Sequence, residues 1–438
     1  MRVGRFNPYF LGASLGGAAI LIAIGVKSEW SNDKCVPSPL SSCAFGDAKR
    51  VVASTKLPTA LAPAAERALR KYCSILPQRA PDRFHRWRFD AHRGGYRTNP
   101  QLRLDISRLL KLDDFAKAFP HTAPLFYRSP LGWEIRQRAP GPGLERAEVE
   151  YHTDQFLAAC AEVGVPLNVP VETPSGAVTI AELLNASRRN FVSGQESSWS
   201  LVAYSTYRPQ ELIWRNRFGD ECSVNEIVDD MLAEPFDQGP CAGTHKQYAV
   251  AFLLDRIPLG GLPSGLRQKC QRYLKRSSEC LIHTQLSCGA WSANWAEGAQ
   301  GASPHDSFAF TIPDLVRITG HHLEWTHLAR EPLRPPQPLL SAALRFLVDA
   351  LDRATASTIQ EEYCGYSHAA CVVAWALSEL PDAQDDSSLH AHVARLSTPN
   401  GSLMIQRSKV ASPHPGPIKR GAPRSTDDDI ARHAASGR

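Results

Sequence analysis

Three segments of this chain place an ionisable side chain two residues after a glycine and an aromatic three residues further on. They are Gly194-Gln195-Glu196-Ser197-Ser198-Trp199, Gly243-Thr244-His245-Lys246-Gln247-Tyr248 and Gly320-His321-His322-Leu323-Glu324-Trp325. His152-x-x-Gln155-Phe156 and His368-Ala369-Ala370-Cys371 are weaker members of the set. Imidazoles and carboxylates exchange protons near neutral pH, and aromatic faces stack on sugar rings, so the pattern suits acid–base work on a polysaccharide. Glu196 and Glu324 are the acid–base candidates, with His245 and His322 as helpers. Trp291, Trp295, Trp199, Tyr248 and Trp325 are the candidate ligand-contact aromatics. The same pattern also reads as architecture, each His or Glu capping its helix or bonding a neighbouring repeat while each aromatic fills a seam.

Other chemistries find less support. His321, His322, Glu324 and His327 have helical spacings in which only His321/Glu324 and Glu324/His327 share a face, so no metal site is assigned. Gly-x-Gly-x-x-Gly, P-loop and His-Glu-x-x-His motifs are absent, and so is Cys-x-x-Cys spacing among the 11 cysteines. No cofactor is expected. Gly12-Ala13-Ser14-Leu15-Gly16 satisfies Gly-x-Ser-x-Gly, but it lies in an apolar run that cannot form the strand–turn–helix that exposes the serine.

The elements that must hold these residues are helices. Thr179-x-x-Glu182 and Ser223-x-x-Glu226 are capping boxes ahead of apolar runs, and Leu340, Leu344, Leu347, Val348 and Leu351 make the stripe of a half-buried helix. Taking His152, Glu196, His245, Trp291, His322 and His368 as anchors, the separations are 44, 49, 46, 31 and 46 residues. A period of about 40–50 residues in helical sequence means stacked helix pairs, and six of them could close into a ring.

Leu281-x-x-x-Gln285-x-x-x-Gly289-Ala290-Trp291 resembles the Q-x-x-x-G-x-W core of the QW repeat of squalene and hopene cyclases, with Cys280 where an aromatic usually stands. Those enzymes belong to the α/α-toroid superfamily, which also holds the protein prenyltransferase β subunits. The resemblance covers about residues 150–380 and implies an all-α toroid of about six helical hairpins, whose inner helices start at one mouth. An open α-solenoid is the alternative. No cyclase mechanism comes with it: the Asp-x-Asp-Asp acid is missing, Asp229-Asp230 and Asp385-Asp386 being only pairs. The prenyltransferase zinc residues cannot be placed either.

The 438 residues are 43% hydrophobic and 21% charged with a net charge of +5, which suits a globular chain and gives no case for nucleic acid. Arg2 and Arg5 precede an uncharged run at 9–26, read as a signal anchor that leaves the bulk of the chain outside the cytoplasm; a cleaved signal peptide is the alternative. Gly12 and Gly16 could support a weak homodimer. Residues 1–8 are then a short cytoplasmic N-terminus, 27–101 a juxtamembrane stalk and basic-aromatic arm (79–97) folded onto the domain, 102–390 the helical domain and 391–438 a disordered tail. Cys222/Cys241 and Cys280/Cys288 are close enough in sequence to be considered as disulfides, and Asn185 and Asn400 stand in sequons. The expected function is a binding or scaffold module of the cell envelope, its partner a polysaccharide or an envelope protein. The alternative is a toroid enzyme acting on polysaccharide as hydrolase or lyase, or on an isoprenoid.

Overall fold

The computed structural model describes residues 57–120, 122–130, 132–135, 152–258, 260–300 and 310–379. The anchor at 9–26, the Gly12/Gly16 pair, the tail at 391–438 and Asn400 lie outside the described residues. Within them no helix is long and apolar enough to cross a membrane.

The described chain is mostly helical: α1 (Ala62–Ser74), α2 (Ala80–Asp90), α3 (Pro100–Leu109), α4 (Leu112–Ala118), α5 (Gln155–Val163), α6 (Ile180–Asn190), α7 (Ser198–Tyr207), α8 (Val224–Ala233), α9 (Thr244–Arg256), α10 (Ser264–Thr284), α11 (Ile312–Leu328), α12 (Gln337–Arg353), α13 (Ala356–Glu361) and α14 (Tyr363–Ser378). A helix apolar all round belongs inside, and one with a single apolar stripe belongs outside. α5, with eight of its residues buried from Gln155 to Val163, and α14, buried almost from end to end, are of the first kind. α1, α6 and α12 bury one stripe and leave charged residues in water.

Among the described residues six helices close a ring. α2 packs on α5, α5 on α7, α7 on α9, α9 on α11, α11 on α14, and α14 returns to α2. Outside it, α1 lies against α12 and α14, α12 against α11 and α14, α10 against α9, and α8 against α7 and α9. Close approach is built into the ring at Gly320, where a Cβ would stand 3.0 Å from the Ala369 amide nitrogen and 3.1 Å from His368 Cβ. A side chain there would push α14 off α11.

Two inner-to-outer connections repeat one device. After α5, β3 (Pro170–Thr173) pairs with β4 (Gly176–Thr179), and after α7, β5 (Ile213–Arg215) pairs with β6 (Glu221–Ser223). β1 (Phe126–Ser129) and β2 (Gly132–Ile135) form a third antiparallel pair. β4 and β6 each end on a hydroxyl residue that caps the next helix. Thr179 and Glu182 form the complete capping box, whereas Ser223 accepts from the Glu226 amide without the reciprocal backbone bond.

Three expectations change here. Residues 79–97 are no arm laid on the domain: α2 is a member of the ring, with Phe84, Trp87 and Phe89 at most 1% exposed. The glycine at 320 does not start a helix, because α11 begins eight residues earlier at Ile312, capped by Thr311. The cysteine pairs 222/241 and 280/288 are free thiols. Gln285 donates to the Gly289 and Leu339 carbonyls (2.9 and 2.8 Å), and the Trp291 indole donates to the Leu281 carbonyl (2.9 Å), so the QW-like segment ties α10 to α12.

Candidate functional site in the ring

Five of the six ring helices carry an ionisable or thiol side chain of one connected cluster, and α7 carries an aromatic packed on it. On α2, His85 and Arg88 are three apart and share a face. α5 contributes Glu162 and is preceded by His152; α7 contributes Trp199 and is preceded by Glu196. Cys241, His245 and Tyr248 follow at helical spacing into α9, His321 and Glu324 lie on α11, and Cys364 and His368 on α14. The entry to α5 is fixed by Asp154, a left-handed residue (φ 61°) whose buried carboxylate accepts from the Ser187 and Ser200 hydroxyls.

Glu196 stands at one end of the chain of contacts. His152 donates through Nδ1 to one carboxylate oxygen at 2.9 Å, and His245 donates through Nδ1 to the other at 3.2 Å. Burial opposes ionisation here, but the two imidazole bonds outweigh it and hold Glu196 at about 2, so it is an anion at any physiological pH. The His245 ring in turn lies 5.0 Å from the His321 ring, and His321 lies 3.7 Å from His368. Burial pushes the pKa of His245, and more strongly those of His321 and His368, below the ordinary imidazole value, so these rings are neutral at pH 7.

At the other end, Arg88 stands between two carboxylates. Its Nε is 2.9 Å from Glu162, and a terminal nitrogen is 3.5 Å from Glu324, an ion-pair distance without hydrogen-bond geometry. Tyr248 also donates to Glu162, and the guanidinium lies 4.9 Å from the Tyr248 ring and 5.5 Å from that of Trp199. His368 donates through Nδ1 to Glu324 at 2.8 Å, so the 3.5 Å approach of Arg88 to that nitrogen is proximity rather than a bond. One arginine cannot neutralise two buried anions. Burial, only partly offset by Arg88, raises Glu324 to about 7, leaving it near half-protonated at neutral pH.

Glu196, Glu324, His245, Trp199 and Tyr248 are thus linked by one chain of side-chain contacts, with Glu196 and Glu324 joined through His245 and His321. His322 does not join them. It faces Trp291 and Trp295 at 5.7 and 4.6 Å, and its Nδ1 accepts from the Trp325 indole at 3.0 Å. Its neighbour His321 occupies the network instead, because consecutive helical residues point about 100° apart. Trp291, Trp295 and Trp325 are fully buried, their indole N–H groups spent on Leu281, Ala242 and His322, and they seal helix seams in this structure. His85, Arg88, Glu162, Cys241 and Cys364 belong to the network without having been singled out as site residues, and His321 was weighed only for a metal site that was not assigned. The one local signal for the first two was their i, i+3 spacing within an aromatic-rich run.

The network reaches solvent at Glu196. A pocket of about 220 Å³ is lined there by Glu196, His245, Asp230, Glu234 and Lys246 among others. Lys246 is paired with Glu234 at 3.3 Å, so the pocket keeps a negative bias. Glu324, by contrast, is fully enclosed. Among the described residues, four overlapping sets of three have metal-ligand donors within 4.8 Å of one another: His152/Glu196/His245, Cys241/His245/His321, His321/Glu324/His368 and His85/Cys364/His368. No protein-family model, curated protein or solved structure matches this chain.

Proposed function

We propose that this chain is an α/α-toroid enzyme that performs acid–base chemistry, of the hydrolase or lyase type, on a hydroxyl-rich polar substrate such as a polysaccharide end. The observation that carries the reading is the Glu196 carboxylate, bonded to imidazoles from two different ring positions and open to a pocket. A carboxylate that merely capped its helix would be bonded to backbone amides. The closed cycle of helices supports a toroid over an open solenoid, since a solenoid has two free ends.

Glu196, ionised throughout the working range, fixes the orientation and tautomer of His152 and His245, and the imidazoles are the groups that exchange protons with a bound molecule. The negative pocket favours hydroxyl or cationic groups over phosphates and carboxylates. The run at 9–26 would hold the domain at a membrane, on the side where such polymers are met. The test is a turnover screen on neutral and amino-sugar oligosaccharides with the full chain. Glu196→Gln, which keeps shape and loses charge, should lower turnover by about 100-fold or more, as loss of a general acid–base system does. Binding of oligosaccharide without turnover, equal in both proteins, would instead support a binding module of the envelope.

A further inference from the structure

His321 is the least satisfied side chain of the ring. It is 1% exposed, and neither of its ring nitrogens has a hydrogen-bond partner. A neutral imidazole carries one donor and one acceptor, and leaving each without a partner in the interior costs about 1–3 kcal/mol. Its surroundings offer electron-pair donors: Cys241, His245 and His321 each present one ligand atom, all within 4.8 Å of one another.

His245 is already oriented as a metal-bound imidazole needs to be. Its Nδ1 is committed to Glu196, which leaves Nε2 as the coordinating atom and makes Glu196 the carboxylate behind a ligand histidine. Cys241 reaches the site because two consecutive non-glycine residues, Cys241 and Ala242, take left-handed backbone angles (φ 50° and 53°) just before α9. Arg88 decides against the set next door, since it stands 3.5 Å from both Glu324 and His368 and would repel a dication. Glu196 with His152 and His245 is satisfied internally by its own hydrogen bonds.

We propose that Cys241, His245 and His321 form a site for a divalent cation of the zinc class, with Glu196 positioning His245. One thiolate and two imidazoles are donors that zinc and cobalt(II) prefer over magnesium or calcium. A tetrahedral site has donor atoms about 3.5 Å apart, so side-chain rotations of about an ångström would draw the three together. Three protein donors leave a fourth position, the arrangement of catalytic zinc sites. The pocket beside Glu196 and His245 would supply its water or substrate oxygen. With His245 as a ligand, His152 remains as the proton-exchanging partner of Glu196. The inference deepens the acid–base reading and shares two residues with it, but ion binding is measured without any substrate, so the two fail separately.

The test uses the full chain, stripped with a chelator and titrated with cobalt(II) chloride. One equivalent should bind with a near-ultraviolet thiolate-to-cobalt absorption and the visible bands of a tetrahedral ion, and zinc should displace it. Cys241→Ser should abolish the thiolate band, and His321→Gln should weaken binding by more than tenfold, while Cys371→Ser keeps both signals. Glu196→Gln should weaken binding by about 10–100-fold, as loss of a carboxylate behind a ligand histidine does. Urea midpoints for each variant separate lost ligation from lost folding, and His321→Asn serves where His321→Gln is unstable. A thiolate band that survives Cys241→Ser, binding that depends on Glu324 and His368 instead, or no stoichiometric cobalt at all would overturn the proposal.

Discussion

Arg88 on α2 and Glu324 on α11 meet at 3.5 Å across the ring, although 236 residues separate them in sequence. Glu162 on α5 holds the same guanidinium at 2.9 Å, so one cation ties three ring helices together. A buried charge is stabilised only by its partners, and removing one partner strands the others.

Arg88→Met should therefore be among the most damaging substitutions in the chain. It leaves two carboxylates facing each other in the interior, and the expected loss is about 3–5 kcal/mol, read from urea midpoints. Glu324→Gln should cost under about 1 kcal/mol, because a carboxyl raised to about 7 is already half neutral at pH 7. An equal loss for the two would show that Arg88 acts through packing on Trp199 and Tyr248 rather than through charge.

Acid should unfold the ring through its histidines. Burial alone lowers His322 to about 3, against about 6.5 in an unfolded chain. Between those values the unfolded state binds the extra proton, so the stability this residue contributes is complete above about pH 6.5 and lost as pH falls towards 3. From pH 7 to pH 5 the loss is about 2 kcal/mol from this residue. His85, where burial also lowers the pKa, adds in the same direction. Urea titrations at both pH values check this: His322→Gln should flatten the slope by His322's share, and an unchanged slope would mean the ring protonates in the folded state.

Gly243→Ala tests the turn that delivers Cys241 and His245. The glycine sits at φ 74°, and a Cβ would come within 1.9 Å of the Phe236 carbonyl oxygen. Backbone strain of about 1–3 kcal/mol adds to the clash, so the variant should lose at least about 3 kcal/mol. If α9 moves to relieve it, the 3.2 Å bond from His245 to Glu196 is what breaks. A thermal midpoint within a degree of the parent would show that the Phe236 segment yields freely.

Five of the six ring helices were legible from the anchors His152, Glu196, His245, His322 and His368, because a polar residue in an otherwise apolar stretch stands out. α2 was not. Its arginines look like a solvated surface, and Arg88 becomes interior only once Glu162 and Glu324 are seen beside it, which sequence spacing does not reveal. Trp291 was a false anchor. His245 and His322 are 77 residues apart because the 21-residue outer helix α10 and its long return lie between them, not because a ring unit intervenes. The choice between His321 and His322 is one of helical phase, and the neighbouring helices set that phase.

Gln285 gives the last test, of whether the QW-like segment is mechanical. Its amide bonds two carbonyls, Gly289 in its own turn and Leu339 in α12. Gly289 (φ 91°) lets the chain pass close to α12, since a Cβ at that position would stand 2.5 Å from the Ala342 carbonyl oxygen. Gln285→Leu keeps the bulk and removes both bonds, so it should cost about 1–3 kcal/mol through the two carbonyls it leaves behind. Gln285→Glu keeps the length but offers no donor when ionised, and it should be as damaging at pH 7 and milder at pH 4. Both effects should appear in unfolding midpoints while cobalt stoichiometry stays unchanged, since Gln285 bonds the outer helices and no side chain of the ring. A fall in cobalt stoichiometry in folded Gln285→Leu would show instead that the α10–α12 tie sets the position of α11 and, with it, His321.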